Sequence, residues 1–158
     1  MSKMSRVNEI KSFLISAGWG TAKIKSLAGD ASFRRYDRIN KGKQVAILMD
    51  APPDFENTRP FVALAEHLRS IGLGAPKVYA RDYEAGLLLL EDLGDDLLKR
   101  VLDREPNKEK LLYQKAVDEL VKINNAPLTY HLSYGEGTHC LQVYDMEMLL
   151  SEALLIAD

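Results

Sequence analysis

A chain of 158 residues is long enough to bury a core, and 46% hydrophobic with 28% charged residues is the composition of an ordinary globular protein. Its 21 basic and 23 acidic side chains leave a net charge of −2, which offers no electrostatic attraction for a nucleic acid or an anionic membrane surface. Cys140 is the only cysteine, so an internal disulfide and a cysteine-built zinc site are excluded, no run approaches the ~18 apolar residues of a spanning helix, and residues 1–6 lead into no secretory apolar core; a reducing cytoplasm fits.

Val7, Ile10, Phe13, Leu14 and Ala17 recur at helical spacing, and Gly18 stands where a C-cap belongs, with Trp19 packing beneath it. Two short β-like runs follow, 22–28 and 34–40, separated by Gly29 to Phe33. Lys41-Gly42-Lys43 then turns the chain into a third run, 44–50, so these segments predict an antiparallel meander whose middle strand is half exposed and rich in arginine. Pro52-Pro53 ends it and opens a polar loop. Pro60 starts a helix with an apolar stripe of Phe61, Leu64, Ala65, Leu68 and Ile71, stopped by Gly72 or Gly74. Val78 to Ala80 reads as a fourth strand. Leu87-Leu88-Leu89-Leu90, entered through Gly86, reads as a fifth, buried on both faces, because four consecutive leucines suit a central strand better than a helix.

The leucine run stops at Glu91-Asp92, and Gly94 closes it; Asp95 and Asp96 are placed to cap a helix through Leu102. Asn107 caps a long helix with a stripe of Leu112, Ala116, Leu120 and Ile123, which Pro127 stops. Residues 130–138 read as a loop, making His131 and His139 loop residues, while Cys140 reads as structural. Val143 to Asp145 opens a last amphipathic helix carrying Leu149, Leu150, Ala153, Leu154 and Ile156, with no stop after it, so the sequence reads as cut short. The predicted class is α+β: a β-β-β-α-β-β sheet-and-helix unit over 20–93, joined by an acidic connector to a helical part.

Four stretches carry a resemblance: Asp30-Ala31-Ser32-Phe33-Arg34-Arg35-Tyr36, Met49-Asp50-Ala51-Pro52-Pro53, Phe61-Val62 leading to Leu73-Gly74-Ala75-Pro76, and Leu88-Leu89-Leu90-Glu91-Asp92-Leu93-Gly94. In their order and spacing they resemble the aminoglycoside phosphotransferase family, of protein-kinase-like fold, and within it the bacterial kinases of N-acetylmuramate and N-acetylglucosamine. The likeness covers most of 27–98; beyond that it is looser, with Tyr144-Asp145 its best point. It implies a nucleotide-binding N-lobe with an N-terminal helix over 1–93, then the hinge exit and a truncated helical substrate lobe over 94–158. It further implies ATP with Mg²⁺, and a sugar or amino sugar as acceptor.

Phosphoryl transfer asks a protein mainly for positioning and charge neutralisation. By resemblance, Asp30, Ala31, Ser32 and Phe33 form a loop over the phosphates, with Arg34 and Arg35 as nearby cations. Adenine would be read by the Glu91 carbonyl and the Leu93 N–H, with Leu90 behind the base and Ile47 and Met49 on the third strand. The side chains of Glu91 and Asp92 read as solvated turn carboxylates. Two departures stand out. The strand lysine of this fold is replaced by Met49 or Asp50, depending on register, and the helix glutamate by Phe61, with Glu66 and His67 nearly two turns on. No His-x-Asp follows residue 98, so no catalytic residue and no metal ligand is assigned. Two other readings remain open at this point: a non-catalytic, pseudokinase-like nucleotide-binding module, and an unrelated α+β interaction domain.

Overall fold

One antiparallel sheet organises the computed structural model, which describes residues 3–27, 33–127 and 129–154. Its strands are β1 (Lys23–Ser26), β2 (Arg35–Lys41), β3 (Gln44–Asp50), β4 (Val78–Asp82) and β5 (Leu87–Glu91), in the spatial order β1-β2-β3-β5-β4. The leucine run is the second-to-last strand and is buried throughout. Strand alternation sends its side chains to opposite faces. Leu87 and Leu89 join Ile39, Ala46 and Leu48 under Ile10, Phe13 and Leu14 of α1 (Lys3–Ser16). Leu88 and Leu90 join Met49, Ala51 and Tyr83 under Val62 of α2 (Arg59–Ser70). Each fully buried leucine contributes ~1.5–3 kcal/mol, so this strand is the common wall of two cores. Gly86 admits it: at φ +64° its carbonyl accepts the Ala51 N–H at 2.9 Å, and a Cβ there would collide with the Ala51 oxygen.

α1 ends at Gly18 (φ +79°), and the Trp19 N–H closes the turn on the Leu14 carbonyl at 2.6 Å, with the indole half-buried against the α1-side core. Val7 is exposed, so the apolar face begins at Ile10. The face α2 buries is Val62, Ala63 and Ala65, whereas Leu64 is turned to solvent; small side chains let the helix sit close to the sheet. Gly72 (φ +80°), not Gly74, ends that helix.

Past the sheet the expected helices form with different ends. α3 spans Leu98–Arg104 with Leu97 at its N-cap; Asp95 and Asp96 do not cap it, because arginines claim both carboxylates, Asp95 by Arg38 and Asp96 by Arg104. Asn107 sits inside a 3₁₀ turn, Pro106–Lys108, and α4 (Glu109–Asn125) starts without a side-chain cap. Residues 130–138 are not a loop throughout, since only 134–137 connect two short strands. β6 (His131–Ser133) pairs with β7 (Thr138–Cys140), pinned against α2 by the buried Leu132. α5 (Met146–Leu154) opens where Asp145 Oδ1 accepts the Met148 N–H at 3.0 Å. No described residue of α4 or α5 is buried, and Leu149, Leu150 and Leu154 are exposed; Ile156 lies outside the described residues. Among the described residues, no helix is long and apolar enough to cross a membrane.

Candidate nucleotide site at the sheet exit

β5 leaves the sheet at Glu91, and the next four residues are shaped by their own carboxylates. Asp92 Oδ1 accepts the Gly94 N–H at 2.9 Å, and Gly94 takes φ +82°, which a residue with a Cβ rarely adopts. Glu91 Oε2 accepts the Lys77 N–H at 3.0 Å and Arg69 Nη1 at 3.3 Å. Arg38 of β2 reaches across to the same segment: Nε lies 2.6 Å from Asp92 Oδ2, and Nη1 and Nη2 donate to the two Asp95 oxygens at 2.8 and 2.9 Å. The side chains of Glu91 and Asp92 are therefore structural ligands of the segment, not the solvated carboxylates expected from the sequence. The hydrogen bond from Arg38 holds the Asp95 carboxyl below its ordinary range, and bonds to Asp95 and then Asp92 hold the Arg38 guanidinium above its own. Leu93, between them, is 65% exposed, and among the described residues nothing accepts from its N–H.

Cross-strand register sorts the remaining predicted residues by face. Arg38 stands opposite Ile47 and Ile47 opposite Leu90; Tyr36 stands opposite Met49 and Met49 opposite Leu88. Ile47, Met49 and Leu90 thus share the α2 face, beside the segment carrying Glu91 and Leu93. Of the two residues expected at the place of the strand lysine, Met49 faces inward, fully buried in the cluster to which Phe61 and Val62 belong, and Asp50 faces α1. Asp50 is 1% exposed. Its Oδ1 receives Arg6 Nε at 3.0 Å and Nη2 at 2.6 Å, and its Oδ2 is paired with Arg35. Arg35 is therefore drawn to the α1 side, away from Ile47, Met49 and Leu90.

Phe33 and Arg34 attach to the connector between β3 and α2. Phe33 stacks on Phe55 at 4.7 Å between centroids, and Arg34 pairs with Glu56 at 3.0 Å. Burial opposes the charge of Arg34, yet its bonds to Glu56 and Tyr36 raise its pKa on balance. Asp30, Ala31 and Ser32 lie outside the described residues. The long-range partners Arg6, Arg38 and Glu56 were missed in the sequence; separations of 44, 54 and 22 residues leave no local pattern to find them by.

Two other features compete for attention. His131 Nδ1 and Cys140 Sγ are 3.2 Å apart on the exposed face of the β6–β7 hairpin, so His131 is a strand residue with a thiol neighbour. A surface cleft of about 350 Å³ opens among Phe13, Ser16, Arg59, Arg81, Tyr83 and Glu136, but Arg59 is paired with Glu84 and Arg81 with Glu66. Its cations are thus already neutralised. Among the described residues, no three His, Cys, Asp or Glu side chains are grouped to hold a metal.

The profile of the phosphotransferase enzyme family (APH) matches residues 23–138. The chain is 39% identical over 161 residues to an N-acetylmuramate/N-acetylglucosamine kinase of Caulobacter vibrioides, covering 84% of this chain and 44% of the relative. It is 35% identical over 147 residues to the enzyme of the same name from Pseudomonas aeruginosa (91% and 40%), and 39% over 123 residues to that of Pseudomonas putida (75% and 36%). The chain spans less than half the length of each.

Proposed function

The chain belongs to the phosphotransferase enzyme family, and from that membership we propose that it carries the nucleotide-binding lobe (1–93) and the first part of the substrate lobe (94–158) of an ATP-dependent sugar kinase. One observation carries the reading. Just past the end of β5, the Leu93 N–H, which nothing among the described residues accepts, follows the strand whose Leu90 stands opposite the half-buried Ile47 on the α2 face. A purine needs that combination of an edge-on backbone donor and flat apolar contact.

Each residue then has a task. Leu93 N–H donates to the base and the Glu91 carbonyl accepts from its amino group. Ile47 and Leu90 exclude water from its faces. Arg34, held by Glu56, meets the phosphates, because Arg35 is drawn off by Asp50. Mg²⁺ accompanies ATP in this chemistry, where it neutralises charge on the phosphates; no residue here is assigned to it. The names of the relatives support an amino sugar as acceptor.

Titration with a fluorescent ATP analogue, displaced by ADP and by adenosine, tests the nucleotide site. Leu93→Pro removes the donor and is expected to weaken both displacers by roughly tenfold to a hundredfold, with the unliganded thermal midpoint held. ADP release over a panel of amino sugars, with neutral hexoses as controls, tests the acceptor class. No displacement by either ligand, or equal displacement in a folded Leu93→Pro variant, overturns the site.

A further inference from the structure

We propose that Arg38 is the positioning residue of the base-reading backbone: its guanidinium ties residues 92–95 to β2, and so fixes the Leu93 N–H against the wall formed by Ile47 and Leu90. This rests on the nucleotide site proposed above.

Three observations carry it. First, Arg38, Ile47 and Leu90 form one cross-strand row, so the arginine occupies the place on β2 that continues the apolar wall. Second, the guanidinium meets both carboxylates: Nη2 donates to Asp92 at 3.1 Å, Nη1 and Nη2 donate to Asp95 at 2.8 and 2.9 Å, and Nε lies in ion-pair contact with Asp92 at 2.6 Å. A planar guanidinium can hold two carboxylates in this way; an ammonium cannot. Third, the two carboxylates flank Leu93, and Asp92 also accepts the Gly94 N–H. Fixing Asp92 and Asp95 therefore fixes both neighbours of the donor.

The charges facing this group are Asp92, Asp95, Lys25 and Arg100. The Asp92 arm is sheltered, at 13% exposure, and the Asp95 arm is open, at 65%. Salt should loosen the outer arm first.

A positioning role at the base end makes a different prediction from a phosphate contact. Arg38→Met is expected to weaken ATP and adenosine by the same factor, roughly tenfold, and Arg38→Lys to restore only part of it. Hydrogen exchange should quicken at the Leu93 and Gly94 amides while the amides of Leu88 and Leu89 keep their protection. Asp95→Asn, at the exposed end, is expected to lose roughly twofold to fivefold on both ligands and keeps the test alive should Arg38→Met fail to fold. A parent protein that binds neither ligand overturns the nucleotide site and this inference together. A parent that binds, with Arg38→Met and Asp95→Asn unchanged, or with losses confined to ATP, overturns the positioning role alone.

Discussion

Replacing Asp50 by leucine is the sharpest test of how the α1 face is held. The carboxylate is 1% exposed and receives Arg6 through two nitrogens and Arg35 through one. Removing one partner of a buried ion pair costs ~3–5 kcal/mol when the other stays buried. Here the loss is smaller, because Arg35 is 63% exposed and returns to water, and Arg6 keeps Glu9 at 2.7 Å. What remains is one charged group left in a half-closed site, about 2–3 kcal/mol, or a fall of roughly 4–12 °C in the thermal midpoint of a chain this long. Urea unfolding reads it as a lower midpoint at unchanged m-value. Arg6→Met should cost a similar amount, since it leaves the buried carboxylate with Arg35 alone. The double variant Arg6→Met with Asp50→Leu should cost clearly less than the sum, by about 1.5 kcal/mol or more, because no buried charge is then stranded. Arg35→Ala should stay within about 1 kcal/mol of the parent. An Asp50→Leu variant as stable as the parent, or additive single variants, would refute the argument that this triad fastens α1 to the sheet.

Two further outcomes follow from the site. Arg34→Ala is expected to weaken ATP by roughly tenfold and adenosine hardly at all, read by competitive titration; equal effects on the two would move Arg34 from the phosphates to the fold. The Arg38–Asp95 bond should be lost in acid only. The folded pKa of Asp95 is depressed, so its contribution is complete above its unfolded value, near 3.9, and is lost as pH falls through the lower folded one. The stability gap between the parent and Asp95→Asn, measured in urea, should be flat from about pH 5 to 8 and close below about pH 4; a gap that closes near neutrality would be wrong for this pair.

The sheet was legible in the sequence because burial leaves a plain mark. Four leucines in a row have no polar face, so the strand they form must lie between two layers, and α1 and α2 supply those layers. The backbone break at Glu91 to Gly94 was legible for a similar reason, since Gly94 and an Asx turn are local devices. The misreadings share one cause. Asp95 and Asp96 look like caps until Arg38 and Arg104 arrive from elsewhere in the chain. The β6–β7 hairpin has only three residues on each side, too few to show alternation, and it is held by one buried side chain, Leu132. On α2, spacing alone favours the bulky Leu64, whereas close approach to the sheet selects Ala63 and Ala65.

The arrangement of arginines follows from the same period of two that makes the leucine run work. A cation at the inward Met49 position would sit fully buried in an apolar cluster, where a lone ammonium is strongly disfavoured. The positive charge stands one strand away instead. Arg34 bonds the inward-packed Tyr36 and Glu56, Arg38 lies in the inward row opposite Ile47, and Arg35, one residue out of phase, is delivered to Asp50 on the other face. Each arginine meets a different acid: one on the connector before α2, one buried on β3, and the pair beyond β5. Moving β2 by one residue would exchange the two faces and break all three pairings at once. The register of this strand is thus specified by charge as well as by Ile39 in the core, which lets a half-exposed strand carry its arginines without losing its place.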